Sequence, residues 1–217
     1  MSETTPIREP GAPGPRKRVN RREQILHTAA EAFTAQGFHN TSLADIATML
    51  GITPAGILHH FGSKTGLLTA VLELRDVRSP APEGAGMLDH LVATAERNAA
   101  TPGTTQLYAV LSAESATDRH PAQGWFRDRY RVLRQEISAA VLERLGPEQR
   151  EAASAPGPHG HAPAHDAAAA VIAAMDGLQV QWLLEPEAVD MSAVTDLVVD
   201  AVVARLSARI ACSGAGD

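Results

Sequence analysis

The sequence predicts an all-α chain built in two helical parts. Three observations predict it. Apolar residues recur at i, i+3, i+4 and i+7 along segment after segment, the spacing of a helix with one buried face. Alanine, the strongest helix former, is very abundant. Gly and Pro clusters punctuate the periodic stretches, and no stretch alternates apolar and polar as a half-buried strand would. There is no internal repeat. A chain of 217 residues is long enough to bury a real core in one large domain or two small ones.

The elements follow in order. Residues 1–15 hold four prolines and two glycines without periodicity, so with the basic run that follows, 1–19 reads as a disordered basic arm. Arg21 to Gln36 form the first helix, with Ile25, Ala29, Ala32 and Phe33 as its core stripe and Gly37 as its end. Thr41 and Ser42 cap a second helix, because a short hydroxyl accepts from the unpaired N–H groups of a first turn. Leu43, Ile46, Ala47 and Leu50 fall on its inner face, and Gly51 turns left-handed after it. Thr53 caps a third helix with Pro54 at its first position. Ile57 and Phe61 face back into a small core that Phe38 also fills, while Thr53, Ala55, Gly56 and His59 face out. Ser63 caps a linker helix, 63–78, that buries Leu67, Leu68, Val71 and Leu72. Ser79 to Gly84 breaks it and marks a domain boundary.

The second part, 83–211, reads as five helices: Met87–Ala100, Thr104–Ala116, Pro121–Leu145, one from His165 or Asp166 to Leu184, and one from Asp190 to near Ile210. Gly146-Pro147 ends the long third one, and residues 151–165 form a loop by composition.

A short helix, a glycine turn and a second helix with a slim polar face make the helix-turn-helix plan, whose second helix enters the DNA major groove. The turn alone does not separate it from any helical hairpin. The continuation Gly51-Ile52-Thr53-Pro54-Ala55-Gly56-Ile57-Leu58-His59-His60-Phe61-Gly62-Ser63-Lys64 does, for it resembles the end of the DNA-binding domain of the TetR family of bacterial transcriptional regulators. Gly51, Thr53, Ile57, His60, Phe61, Ser63 and Lys64 match the family pattern, as do Thr41-Ser42-Leu43 with Ile46-Ala47, and Ala32-Phe33 with Gly37-Phe38. Leu58 stands where the family usually has Tyr, and Thr65 and Gly66 where acidic residues are usual. The resemblance covers the first third of the chain. It implies a helix-turn-helix domain at 20–65, a linker helix that moves it, and a helical effector-binding and dimerisation domain behind.

Charge agrees with that division. Residues 1–78 carry 9 Lys and Arg against 7 Asp and Glu, and the remainder 10 against 18, within a net of −6. A basic head on an acidic body lets one end meet phosphate. DNA-binding candidates are Arg16, Lys17, Arg18, Arg21, Thr41, Ser42, Thr53, Pro54, Ala55, Gly56, His59, His60 and Lys64. So few long side chains leave specificity partly to the arm and to DNA shape. Candidates for a ligand pocket are His90, Tyr108, Leu111, Trp125, Phe126, Tyr130, Met175, Gln179 and Trp182, set against plain core packing. A dimer face is expected from Ala168, Ala169, Ile172, Val194, Leu197, Val198, Ala201 and Val202, a stripe too apolar for a helix with one side in water.

No GxSxG, P-loop, strand-borne GxGxxG or HExxH motif occurs, so no enzyme is expected. His159, His161 and His165 have metal-like spacing, but no Cys or carboxylate cluster supports them; no metal or cofactor is expected. The single cysteine, Cys212, fits a reducing cytoplasm. Neither an apolar leader nor 18 uninterrupted apolar residues are visible, so no membrane partner is expected. The expected partners are a palindromic double-stranded operator, a small-molecule effector and a second copy of the chain, and the expected role is a repressor released by ligand. Two alternatives stay open: a regulator without effector, and a ligand-binding helical protein without specific DNA reading.

Overall fold

The computed structural model describes residues 20–77, 86–157 and 160–214. Arg16, Lys17 and Arg18, the boundary at 79–84 and His159 lie outside them. Among the described residues there are ten helices and no strand.

The head is α1 (Arg21–Asn40), α2 (Leu43–Leu50), α3 (Pro54–Phe61) and α4 (Lys64–Val77). Asn20 starts α1 by accepting from the Arg22 N–H at 3.1 Å. The predicted break at Gly37 is present: its φ of 76° and ψ of 166° lie in a region essentially reserved for glycine, although one more turn follows to Asn40. α2 opens with a capping box, Ser42 Oγ accepting from the Asp45 N–H at 3.1 Å and Asp45 Oδ2 from the Ser42 N–H at 2.9 Å. The exposed Asp45 carboxyl is held below the usual carboxylate range, chiefly by its hydrogen bonds to Ser42. Gly51, at φ 62°, closes α2, and Thr53 Oγ1 caps α3 by accepting from the Gly56 N–H at 3.3 Å. Gly66 sits close to the end of α3: a Cβ there would run into the Phe61 carbonyl.

The body is α5 (Met87–Ala100), α6 (Pro102–Ser115), α7 (Gln123–Glu143), α8 (Pro147–Ser154), α9 (Pro163–Leu184) and α10 (Met191–Gly214). α8 corrects the sequence reading of five helices and of a loop from 151. The long helix does end before Gly146-Pro147, at Glu143, but Pro147 then starts a further helix at its first position. Gln149 Oε1 accepts from the Gly146 N–H at 3.3 Å, and Ala153 is buried in the body core. By length and composition alone α9 is apolar enough to cross a membrane, but it packs on α6, α7 and α10 as a core helix.

Head and body share one core. The cluster formed by Ile25, Phe33, Ile46, Ile57, Leu67 and Leu68 continues into Leu107, Tyr108 and Leu111 of α6 and Phe126 of α7. The seam is closed at the end of α1. The Phe38 N–H donates to Glu114 Oε2 at 3.3 Å, and His120 Nε2 lies 3.6 Å from the same oxygen. The His120 ring packs edge-on to Phe38 and His39, with centroids 5.4 and 5.3 Å away. A Cβ at residue 37 would sit 2.5 Å from Glu114 Oε1. Gly37→Ala should therefore cost about 1–3 kcal/mol of stability from backbone strain alone, read as a lower urea midpoint; an unchanged midpoint would show that the turn relaxes freely.

Candidate nucleic-acid interface and buried cavity

The turn between α2 and α3 presents one polar edge of the head. Ser42, Thr53, Pro54, Ala55, His59 and His60 are exposed there, Gly56 half so. The two histidine rings stand 5.5 Å apart, edge to face. Arg21 is exposed at the start of α1, its guanidinium donating to Gln24 Oε1 at 3.1 Å.

Two predicted contact residues are placed otherwise. Thr41 is 1% exposed. Its hydroxyl lies 2.8 Å from the Gly37 carbonyl and 3.2 Å from that of Ala32, so it locks the turn between α1 and α2 and does not face outward. Lys64 is folded over the Phe38 ring at 4.2 Å and donates to the His39 carbonyl at 3.4 Å. Burial lowers the pKa of its ammonium, and Asp45 opposes the shift. In this conformation Lys64 serves the head–body seam.

In the body, α5, α6, α7 and α9 line a partly open cavity of about 320 Å³. His90, Tyr108, Met175 and Gln179 line it as predicted. The other predicted residues lie elsewhere. Leu111 and Phe126 are buried in the shared core, with Trp125 against it, and Trp182 packs with Leu178 and Met191. Tyr130 does not line the cavity itself, but its hydroxyl donates at 2.7 Å to Asp176 Oδ2, a residue that does. Burial, the neighbouring Tyr108 and that hydrogen bond keep the phenol protonated. His90 is held below the usual histidine range by burial, then by Arg97 and Arg129, with Glu136 opposing. Sequence reading missed Arg129, Glu136 and Asp176, all on the cavity wall. Charges on long amphipathic α7 read as a solvated face. Asp176 did carry a signal: it is the one charge in the run from Ala167 to Leu184.

The exposed sides of α9 and α10 mix apolar residues, Val180, Leu184 and Leu197 among them, with the charges of Asp196, Asp200, Arg205 and Arg209. Leu197, 66% exposed, and Ala201 lie there, as expected. Ala168 and Ile172 do not: both are buried in the body core, so the predicted stripe on α9 is turned inward. The exposed apolar residues of α9 are instead Ala170, Ala173, Val180 and Leu184, with Asp166 and Gln181 also exposed. Ala169, Val194, Val198 and Val202 are half-buried between the two sides. Near the start of α9 the rings of His161 and His165 stack at 4.8 Å, and no group of three metal-ligating side chains occurs among the described residues.

Comparison with known proteins places this geometry. The family model for bacterial regulatory proteins of the tetR family matches residues 25–71. The HTH-type transcriptional regulator TtgR of Pseudomonas putida is 31% identical over 183 residues, covering 78% of this chain and 83% of its own. Among solved structures, a transcriptional regulator from Rhodococcus sp. Rha1 superposes with a TM-score of 0.64 at 17% identity, over 85% of this chain and 96% of its own. A SmeT–triclosan complex superposes with a TM-score of 0.64 at 18% identity, over 85% and 90%. At those identities the structures speak for the fold.

The histidines set a pH dependence. Burial lowers the pKa of His120 as well as His90, with Glu114 opposing and His39 assisting. A lowered folded pKa means that the unfolded chain binds more protons, so this share of stability is complete above the unfolded value near 6.5 and lost as pH falls below it. Stability in urea should fall between pH 7.5 and 5, and His120→Asn should make that slope shallower; an identical slope would remove His120 from the account.

Proposed function

The chain belongs to the tetR family of bacterial regulatory proteins and is a DNA-binding transcriptional regulator; from that premise we propose that it is a cytoplasmic homodimeric repressor, released from a palindromic operator by a small organic ligand. The observation that carries the reading is a pairing within one core: a helix-turn-helix with a clear outer edge, and a 320 Å³ cavity behind it. The proposed division is a head at 20–65, the linker helix, and an effector and dimerisation body at 83–211. The reading assigns the chain no catalytic step.

The cavity suits a compact ligand with both apolar and polar parts. Met87, Leu133 and Met175 offer hydrocarbon, and Asn98, Gln179 and the charged trio offer hydrogen bonds. Ligand shifts the population only by binding one conformation better than the other. α6 is where that difference reaches the head. Tyr108 lines the cavity and Glu114 holds the Phe38 N–H, six residues along, or about 9 Å on the same rigid helix. Displacing α6 pulls on the end of α1 and, through it, on α4 and the two short helices. In a dimer this changes the spacing of the two α3 helices.

Dimerisation supports the reading because one helix-turn-helix binds weakly and half-sites demand a two-fold pair. The exposed face of α9 and α10 is the proposed interface. Leu197→Glu should leave the helical circular dichroism intact, shift the protein from dimer to monomer in light scattering, and weaken operator binding by at least about tenfold. A dimer that survives the change would place the interface elsewhere.

The proposal as a whole is tested by binding to a randomised duplex library at several salt concentrations. A palindrome should be enriched, with affinity falling steeply as salt rises. A metabolite library should then contain compounds that raise the melting temperature and release the selected duplex. A non-palindromic site, or tight ligands without effect on DNA binding, would overturn the repressor reading.

A further inference from the structure

α3 is the helix that the helix-turn-helix plan sends into the major groove. Bases are read there by paired hydrogen bonds from a short list of side chains: Arg or Lys on guanine, Asn or Gln on adenine, Asp or Glu on cytosine. None of these residues occurs between Thr53 and Gly62. Thr53 is spent in part on its cap, accepting from the Gly56 N–H at 3.3 Å. His59 and His60 lie toward the C-terminal end of α3, the end away from the residues that enter the groove first.

What the exposed surface of α3 does offer is hydrocarbon. Leu58 is 42% exposed and belongs to no hydrophobic cluster among the described residues. A leucine on a helix leans toward the N-terminus, over the residues three and four positions back. Those are Ala55 and Pro54, both exposed. The three side chains form a small apolar cap over the N-terminal turn of the recognition helix, where water gains nothing from it. In the major groove only one base edge is apolar, the C5 methyl of thymine.

We propose that Leu58, with Ala55 and Pro54 beside it, is a specificity-determining residue that reads thymine methyl groups in the operator. The inference rests on the DNA-binding role of α3 and goes beyond it. Recognition is by burial of a methyl group rather than by a hydrogen-bond code, and the preferred half-site carries thymine at the positions beneath the cap. It also gives a use to a leucine that stays 42% exposed.

The test removes the methyl and nothing else. The full-length protein is used to select sites from two randomised duplex libraries, one containing thymine and the other containing deoxyuridine in its place. A selected thymine site is then remade with single deoxyuridines. Wild-type protein should lose about fourfold in affinity for each contacted methyl, the effect of one CH₂-sized group leaving an apolar contact, and about fifteenfold when both half-sites lose one. Leu58→Ala, at an exposed position that leaves the head core untouched, should bind the thymine site more weakly and bind the thymine and deoxyuridine sites equally. Equal binding of both duplexes by wild-type protein would overturn the proposal, as would a full thymine preference in Leu58→Ala. If neither library yields a site, the DNA-reading conclusion beneath the proposal falls, and the proposal falls with it. Unchanged far-ultraviolet circular dichroism separates loss of contact from loss of fold.

Discussion

The structure depends on how the last turn of α1 is held. Gly37 takes a backbone conformation that other residues reach only with strain, and this turns the chain sharply enough to set Phe38 and His39 against the body. The Glu114 carboxylate then accepts from the Phe38 N–H, a donor left over where α1 breaks. A charged acceptor on a backbone N–H in a part-buried site is worth more than a neutral pair. Thr41, its hydroxyl donating to the Ala32 and Gly37 carbonyls of α1, passes that placement on to α2, and the α2–α3 turn fixes the outer edge. Removing any of these links would leave the fold class intact and misplace the outer edge of the helix-turn-helix.

The head needs this help because it is small. α2 and α3 have eight residues each, too short to be stable on propensity alone. Their caps satisfy the orphan N–H groups, and Ile46, Ala47 and Ile57 are buried against α1 and α4. Leu107, Tyr108 and Leu111 supply the rest of that core from α6. A head that borrows its core from the body cannot ignore a movement in the body, so coupling follows from the packing itself.

The legible parts of the sequence are those governed by local rules. The Ser42 cap, the left-handed Gly51 and the Thr53-Pro54 restart are short-range chemistry, and the helix boundaries follow from them within a residue. What resisted reading depends on partners far along the chain. Thr41 looks like a cap, but its hydroxyl is taken by carbonyls four and nine residues back. Ala168 and Ile172 look like a contact stripe, but α9 is apolar on nearly every side, and periodicity cannot say which side meets a neighbour. Arg129 and Glu136 look like solvent charges on α7, and Glu136 does stay exposed, yet both line the cavity that α7 shares with α5 and α9. Pro147 reads equally well as a stop or a start, and the choice is made by the burial of Ala153.

The cavity and the seam answer different demands on α6. A cavity wall must yield to a ligand, so it is lined by methionines and by polar groups that can exchange partners. A seam that carries displacement must not yield, so it is built from rings, a charged hydrogen bond and a glycine with no room for a side chain. α6 carries both, with Tyr108 at the soft end and Glu114 at the hard end. Packed interiors resist continuous deformation and shift between discrete arrangements. On the proposed reading, a ligand that moves Tyr108 moves Glu114 with it. The pliable wall would then set which ligands enter, and the stiff clasp how much of their binding free energy reaches the outer edge of the head.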